Sequence, residues 1–151
     1  MKSFKQYLTE NKNNEFWHGS MSVMTSLRPG MHMGTKEQAK TRFADITVGR
    51  KHVPMQMHRI VEINKRKPEE HIEIEDTGSP TLGQALATAS AEGRMPENIS
   101  RIARKKSEFE QARVLRQYGI HRVYYKNKYE GEGISHIIVN PEDYELELEK
   151  Q

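Results

Sequence analysis

The chain has 151 residues, the usual size of one domain, so a single folded unit is expected. It carries 24 Lys and Arg against 21 Asp and Glu, and a net charge of +3 is too small to indicate a partner. The absence of cysteine excludes disulfide bonds, thiol catalysis and cysteine-ligated metal sites, and the seven histidines have no recognised ligand spacing, so no metal is expected. No apolar stretch approaches the ~20 residues of a membrane span, and residues 1–14 lack the apolar centre of a signal peptide. These features predict a cytoplasmic protein with no membrane partner.

Charge is distributed in blocks along the chain. Residues 36–67 hold nine basic and three acidic side chains, and residues 94–128 hold ten and three. Such runs are commonly solvated helix surfaces. Two of them on one face would instead attract a phosphate-bearing ligand or a nucleic acid. Composition alone leaves both interpretations open.

In the first third of the domain, the sequence predicts a strand followed by a helix. Glu15–His18 is an apolar and aromatic run that stops at Gly19 and Ser20, as a buried strand does. Thr35 is the predicted N-cap of the helix, because Gln38 follows it three residues later. The apolar positions of this helix are Ala39, Phe43 and Ile46.

In the middle of the chain, the sequence predicts two strands and two helices. Alternation of apolar and polar residues indicates strands over Met55–Glu62 and Ile72–Asp76. Apolar spacing predicts one helix over Thr81–Ala91 and a longer one over Ile99–Tyr118, each closed by a glycine. Ile102 and Phe109 are among the apolar positions of the longer helix.

The last part of the chain predicts two strands joined by a polar loop. Val123–Tyr125 and Ser135–Val139 are rich in residues that favour strands, and Asn127–Gly133 between them is polar and contains glycine. The chain has no internal repeat and no boundary between domains. We therefore predict a polar N-terminal segment, residues 1–14, and one mixed α+β domain, residues 15–151.

The segment Phe16-Trp17-His18-Gly19-Ser20 is the most distinctive in the sequence. Gly19 has no Cβ, so its backbone can approach a flat ligand closely and offer an N–H and a C=O to an amide. The His18 imidazole can reach a ribose hydroxyl, and Ser20 adds a hydroxyl donor. Taken alone, the same residues are also typical of an ordinary strand end. The phosphate-binding patterns GxxxxGK[ST] and GxGxxG are absent.

Several short motifs, in their order along the chain, resemble the ADP-ribosyltransferase superfamily and its histidine-bearing branch, which includes the poly(ADP-ribose) polymerases. They are Trp17–Ser20, Leu27–Ala39, His58–Asp76 and Gly119–Tyr144. The resemblance implies a split β-sandwich with flanking helices that grips NAD+, which is a substrate here. It also implies a mono-ADP-ribosyltransferase whose acceptor is a protein or a nucleic acid. The opening Met1–Leu8 is reminiscent of tailed-phage proteins, which implies an effector acting on host components in the host cytoplasm.

The resemblance also implies which residues bind NAD+. His18 would contact the adenosine-side ribose, Gly19 would contact the nicotinamide carboxamide, and Ser20 would support them. The second motif and the helix after it add His32, Gly34, Thr35 and Phe43. Phe43 stands where the family has a tyrosine that stacks on nicotinamide, and a phenyl ring can stack as flatly. A core position in the helix explains Phe43 equally well.

The catalytic acid is the least direct part of the resemblance. In the polymerases a glutamate opens the last strong strand, where this chain has Ser135. Glu130 and Glu132 lie just upstream and resemble the Glu-x-Glu pair of the arginine-modifying branch, in which the second acid is catalytic. In small phage-type relatives the first position is the better match, so Glu130 is the first candidate and Glu132 the second. Such a carboxylate would stabilise the positive charge that develops at the ribose carbon. The alternative function is an inactive domain of this fold that binds a protein or a nucleic acid.

Overall fold

A computed structural model describes residues 15–49, 54–78 and 80–148. The predicted N-terminal segment, residues 1–14, lies outside this part of the chain. Residues 50–53 and the last three residues of the predicted domain also lie outside it. Within the described ranges, the structure contains no helix that is long and apolar enough to cross a membrane.

The described residues form seven β-strands and four α-helices. The strands are β1 (Glu15–Ser20), β2 (His32–Met33), β3 (Gln56–Glu62), β4 (His71–Glu73), β5 (Arg122–Lys126), β6 (Ile134–Ile138) and β7 (Tyr144–Leu148). The helices are α1 (Lys36–Ile46), α2 (Leu82–Ala91), α3 (Glu97–Ala103) and α4 (Glu108–Gln117). This content confirms the predicted mixed α+β class.

The strands are arranged in two sheets that meet at one edge. A three-stranded antiparallel sheet has the order β1-β3-β7, and a four-stranded sheet has the order β2-β6-β5-β4, in which only the β4–β5 pair is parallel. Trp17 of β1 and Gly34, just after β2, exchange backbone hydrogen bonds of 2.8 and 3.1 Å across the gap between the sheets. We call this contact the sheet junction.

Two hydrophobic cores share the four-stranded sheet. Helices α2, α3 and α4 pack on it in the first core, and the second core lies between the two sheets. Side chains of β6 alternate between them, because Ile137 belongs to the first core and Ile138 to the second. The other residues of the second core are Phe16, Met31, Met33, Ile60 and Tyr144.

The single helix predicted over residues 99–118 is wrong, because the structure has two helices there. The chain leaves the helix after Ala103, and α4 begins at a new N-cap, Ser107, whose Oγ accepts the N–H of Glu110 at 3.3 Å. Serine favours this position because its side chain competes for backbone hydrogen bonds inside a helix and satisfies them at its start. Ile102 and Phe109, predicted as buried positions, are 53% and 64% exposed.

Strand β7 is missing from the sequence-based prediction. Acidic residues alternate with Tyr144 and Leu146, so the segment has the composition of a charged tail. In the structure β7 pairs with β3, and Arg59 of β3 lies opposite Glu147 and forms a salt bridge with it. The Arg59 guanidinium also contacts Glu15 of β1 at 2.9 Å, so one arginine links all three strands.

His136 of β6 is buried in the core between the sheets, with its ring 4.8 Å from that of Phe16. Burial lowers the pKa of His136 to about 3, whereas a histidine in the unfolded chain keeps its ordinary pKa of 6.5. Between these values the unfolded state binds a proton that the folded state does not, so stability falls as the pH is lowered from 6.5. We expect the free energy of unfolding to lose about 1.4 kcal/mol per pH unit from this residue.

Urea denaturation at several pH values between 5 and 7 tests this expectation. His136→Gln keeps a polar side chain that does not titrate, so the variant should show a shallower slope than the wild type. Equal slopes in the two proteins would contradict the burial of a neutral imidazole at this position.

Candidate functional site

A cavity of about 290 Å³ lies beside the sheet junction, and we call it the site cavity. Strand β1, the β2–α1 connection, helix α1 and the loop between β5 and β6 form its walls. Its polar lining residues include His18, His32, Gln38, Arg42, Glu130 and Ser135. The fold therefore brings residues from the segments 17–46 and 125–135 together at one cavity.

Helix α1 begins two residues after Gly34 of the sheet junction, and its N-terminus is capped by side chains. Thr35 Oγ1 accepts the N–H of Gln38 at 3.1 Å, and Gln38 Oε1 accepts the N–H of Thr35 at 3.0 Å. This reciprocal pair is a capping box, so the predicted N-cap is confirmed. One face of the helix then lines the site cavity, and it carries Gln38, Ala39, Arg42 and Ile46.

His18 presents a neutral imidazole at the cavity. Its Nδ1–H donates to the backbone oxygen of His32 at 2.6 Å, which leaves Nε2 as the acceptor of the ring. Burial lowers the pKa of His18, although the hydrogen bond to His32 acts in the opposite direction. The ring is therefore uncharged at neutral pH and can accept a hydrogen bond from a ligand hydroxyl at Nε2.

His32 lines the same cavity, but both of its nitrogens already have partners. Nδ1 is 2.8 Å from the Tyr125 hydroxyl, and the ring also forms a hydrogen bond with the backbone of Pro80. Burial, followed by the charge of Arg42, lowers the pKa of His32 to about 3. Burial, followed by the charge of Glu130, raises the pKa of the Tyr125 phenol. His32 and Tyr125 therefore form a neutral pair in the wall of the cavity.

Glu130 is the carboxylate of the site cavity. Its side chain is 11% exposed, and Oε2 lies 3.6 Å from Arg42 Nη1, which is an ion pair longer than a hydrogen bond. Oε1 accepts from Asn127 Nδ2 at 3.2 Å. Glu132, the second candidate acid, is exposed and does not line the cavity. The structure thus brings Glu130, and not Glu132, to His18.

The other residues singled out in the sequence divide into two groups. Gly19, Ser20 and Gly34 line the cavity. Thr35 and Phe43 do not: Thr35 caps α1, and Phe43 is buried beneath β1, where a Cβ added to Gly19 would lie 3.3 Å from the Phe43 Cβ. The glycine at position 19 therefore lets α1 pack closely against β1.

A second cavity of about 890 Å³ adjoins the first, and we call it the larger cavity. Both cavities share His18, Ser20, Met21, Arg28, His32 and Arg42. The segment of residues 21–31 forms most of its wall, and the start of α4, with the exposed ring of Phe109, forms its far end. His58, which is fully buried in β3, holds this segment, since its Nε2 accepts the N–H of Met24 at 2.9 Å.

The second basic block places several exposed cations on α3 and the turn that follows it. Arg101, Lys105 and Lys106 are exposed, whereas Arg104 forms a salt bridge of 2.7 Å with Glu97. Exposed cations at these positions agree with both sequence interpretations, a solvated surface and a phosphate-binding face. In the part of the chain that the structure describes, no group of three metal-ligating side chains is close enough to hold an ion.

Arg28, Gln38, Arg42 and Tyr125 belong to the site but were not identified from the sequence as site residues. Gln38 and Arg42 carried a usable signal, because they lie four residues apart on the helix face that follows the Thr35 cap. Arg28 and Tyr125 lie within the ranges Leu27–Ala39 and Gly119–Tyr144 of the resemblance, but neither was singled out there as a site residue. Comparison of the chain with protein-family models, with curated proteins and with solved structures finds no match.

Proposed function

We propose that the chain is an ADP-ribosyltransferase that binds NAD+ across the two cavities and transfers ADP-ribose to a macromolecular acceptor. The ordered motifs that resemble this superfamily suggest the activity. One observation carries the proposal: a largely buried carboxylate, Glu130, lies in the same cavity as His18, Gly19 and Ser20. The proposed fold is the split β-sandwich of the same superfamily, and the two sheets joined at one edge support it.

The size and the charge of the cavities suit a dinucleotide. The site cavity takes the nicotinamide and its ribose, and the adjoining larger cavity takes the rest of the molecule. Arg28 and Arg42 line both cavities and supply positive charge for the diphosphate. His18 accepts from a ribose hydroxyl through Nε2, and the backbone of Gly19 binds the carboxamide. Phe43 has no part in this proposal, because its ring is buried away from the cavity.

Glu130 acts on the charge that develops during the reaction. The bond between the ribose carbon and the nicotinamide nitrogen breaks, and a nucleophile of the acceptor forms a bond to the same carbon and loses its proton. The ribose carries positive charge in the transition state, so a fixed and largely buried carboxylate stabilises it. Arg42 and Asn127 hold that carboxylate in place before any ligand binds.

NAD+ is expected to raise the melting temperature of the protein. A ligand that binds only the folded state stabilises it by about 2.7 kcal/mol at a concentration one hundred times its dissociation constant. His18→Ala removes the acceptor at the cavity and should reduce the shift. His121→Ala is the control, because His121 lies between α4 and β5 and lines neither cavity. Thermal denaturation with millimolar NAD+ measures both effects, and no shift in the wild type would count against the proposed cavity.

Labelled NAD+ added with a cell lysate identifies the acceptor. Label in protein, in nucleic acid or in free ADP-ribose distinguishes three forms of the activity. Binding without cleavage of NAD+ would instead favour a binding module of the same fold.

A further inference from the structure

The loop that carries Glu130 is closed at its base, where the Asn127 N–H donates to the Gly133 oxygen at 3.0 Å, and the Lys128 N–H donates to Asp76 Oδ2 at 2.8 Å. It connects β5 to β6, and its glycines at positions 131 and 133 adopt φ values of +125° and +111°, which other residues rarely adopt. A catalytic carboxylate must stay within a fraction of an ångström of its place. Helix α1 adds a further contact at the middle of the loop.

Gln38 of α1 reaches this loop with its side-chain amide. The residue is 3% exposed, and its Nε2 donates to the backbone oxygens of Glu132 at 3.0 Å and Gly131 at 3.4 Å. Its Oε1 accepts from the Thr35 N–H at 3.0 Å and from Ser135 Oγ at 2.8 Å. Both amide hydrogens and both oxygen lone pairs are therefore used.

Asn127 continues the network to the carboxylate. Its Nδ2 donates to Ser135 Oγ at 2.9 Å and to Glu130 Oε1 at 3.2 Å. Its Oδ1 accepts the backbone N–H groups of Tyr129 at 3.1 Å and Glu130 at 2.7 Å. Backbone N–H groups can only donate, so they fix which way the amides of Gln38 and Asn127 point.

Gly34 provides the space for this network. A Cβ at position 34 would lie 2.2 Å from Gln38 Oε1 and 2.9 Å from Ser135 Oγ, so a side chain there would displace both groups. Ser135, which stands where the polymerases have their glutamate, uses its hydroxyl to join Gln38 to Asn127.

We propose that Gln38 is a positioning residue, which binds the β5–β6 loop to helix α1 and thereby holds the Glu130 carboxylate at the site cavity. This proposal rests on the proposed function for the role of Glu130. The attachment of the loop by Gln38 stands on the hydrogen bonds alone and can be measured without NAD+.

Gln38→Glu removes the attachment of the loop while it keeps the cap of helix α1. Glutamate keeps an oxygen that accepts from Thr35, as glutamate does in a capping box, but it has no N–H to donate to the two loop oxygens. Ser135→Ala is a second variant, which breaks the link between Gln38 and Asn127 without adding a charge. Gln111→Glu is the matched control, because Gln111 is a buried helix glutamine that donates to the Arg104 oxygen at 3.2 Å and lines neither cavity.

Two measurements test the proposal. Backbone hydrogen exchange in residues 127–133 should be about tenfold faster or more in both variants and unchanged in Gln111→Glu. The kcat for nicotinamide release should fall about tenfold, with the Kd for NAD+ within about threefold of the wild-type value, because the variants loosen the loop and keep Arg28, His18 and Gly19, the groups assigned to NAD+.

Different results overturn the two proposals. Unchanged exchange in the loop of Gln38→Glu overturns the attachment by Gln38, and faster exchange with unchanged kcat overturns its role in positioning Glu130. A wild-type protein that neither binds nor cleaves NAD+ overturns the proposed function, and the exchange rates then decide the attachment by itself.

Discussion

Glu130→Gln is expected to lower the rate of nicotinamide release by ~100-fold or more, the scale seen when one preorganised electrostatic group is lost. Glutamine keeps the volume and the acceptor for Asn127, but it lacks the charge that faces the ribose. Binding of NAD+ and the melting temperature should change little, since the variant loses only a long ion pair of 3.6 Å, and the Arg42 side chain is 28% exposed, so solvent still reaches its charge. Single-turnover assays with labelled NAD+ and thermal denaturation provide the two measurements.

Glu132→Gln is the matched control, two residues away in the same loop. Glu132 contributes its backbone oxygen to Gln38 while its side chain is exposed, so the substitution should leave nicotinamide release near the wild-type rate. A change in which acceptor is modified is compatible with this surface position. The opposite ranking of the two variants would move the chemistry to Glu132 and favour the arginine-modifying branch. Wild-type activity in the double variant would remove both acids from the mechanism.

The sequence predicted most elements because their signals are local. The capping pair Thr35 and Gln38, the alternation in β3 and the apolar run of β6 each determine a short segment almost independently of the rest of the chain. The break between α3 and α4 was missed because apolar spacing continued through it, although Ser107 carried a local signal. The parallel pairing of β4 with β5 is a property of the tertiary fold that no single segment encodes.

Residues of the candidate site could be predicted only where a short motif pointed to them. His18 and Gly19 were found through their neighbours in the sequence, and Glu130 through its place in a loop shared with Glu132. A polar loop with glycines does not predict that its acid is buried, yet Arg42 of α1 lies beside Glu130, and the Glu130 side chain is 11% exposed. Arg28 and Tyr125 lie within the ordered motifs, but their positions at the cavity depend on sheet pairing and loop packing, which no local pattern encodes.

Arg122 lies at the centre of a buried charged network at the start of β5. Its guanidinium is 2% exposed and lies 3.2 Å from Glu62 and 3.4 Å from Asp143. It also donates to the Asn64 oxygen at 2.7 Å and to the Tyr144 hydroxyl. Asp143, itself 1% exposed, forms a second ion pair with Arg66 at 2.9 Å. The network connects β3, β5 and β7 and thus both sheets.

Arg122→Met is expected to destabilise the protein by about 3–5 kcal/mol, the usual cost of removing one partner from a buried ion pair. Methionine fills much of the space but leaves the two carboxylates without this cation. Urea denaturation measures the loss, and a variant too unstable to purify would agree with it. Arg59→Met is the control, because Arg59 pairs with Glu15 and Glu147 at the surface, where solvent screens the charges. Equal effects of the two substitutions would contradict a special role for the buried network.

The loss of stability in Arg122→Met should also depend on pH, in a direction that identifies its cause. Burial already raises the pKa of Glu62, and the positive charge of Arg122 opposes that rise. Without Arg122 the pKa of Glu62 should rise further, so the folded variant binds a proton at a pH where the unfolded chain does not. Lowering the pH from 7 towards the unfolded pKa of Glu62 therefore stabilises the variant relative to the wild type. A difference between the two proteins that stays constant over this range would instead attribute the loss to the packing of the arginine side chain.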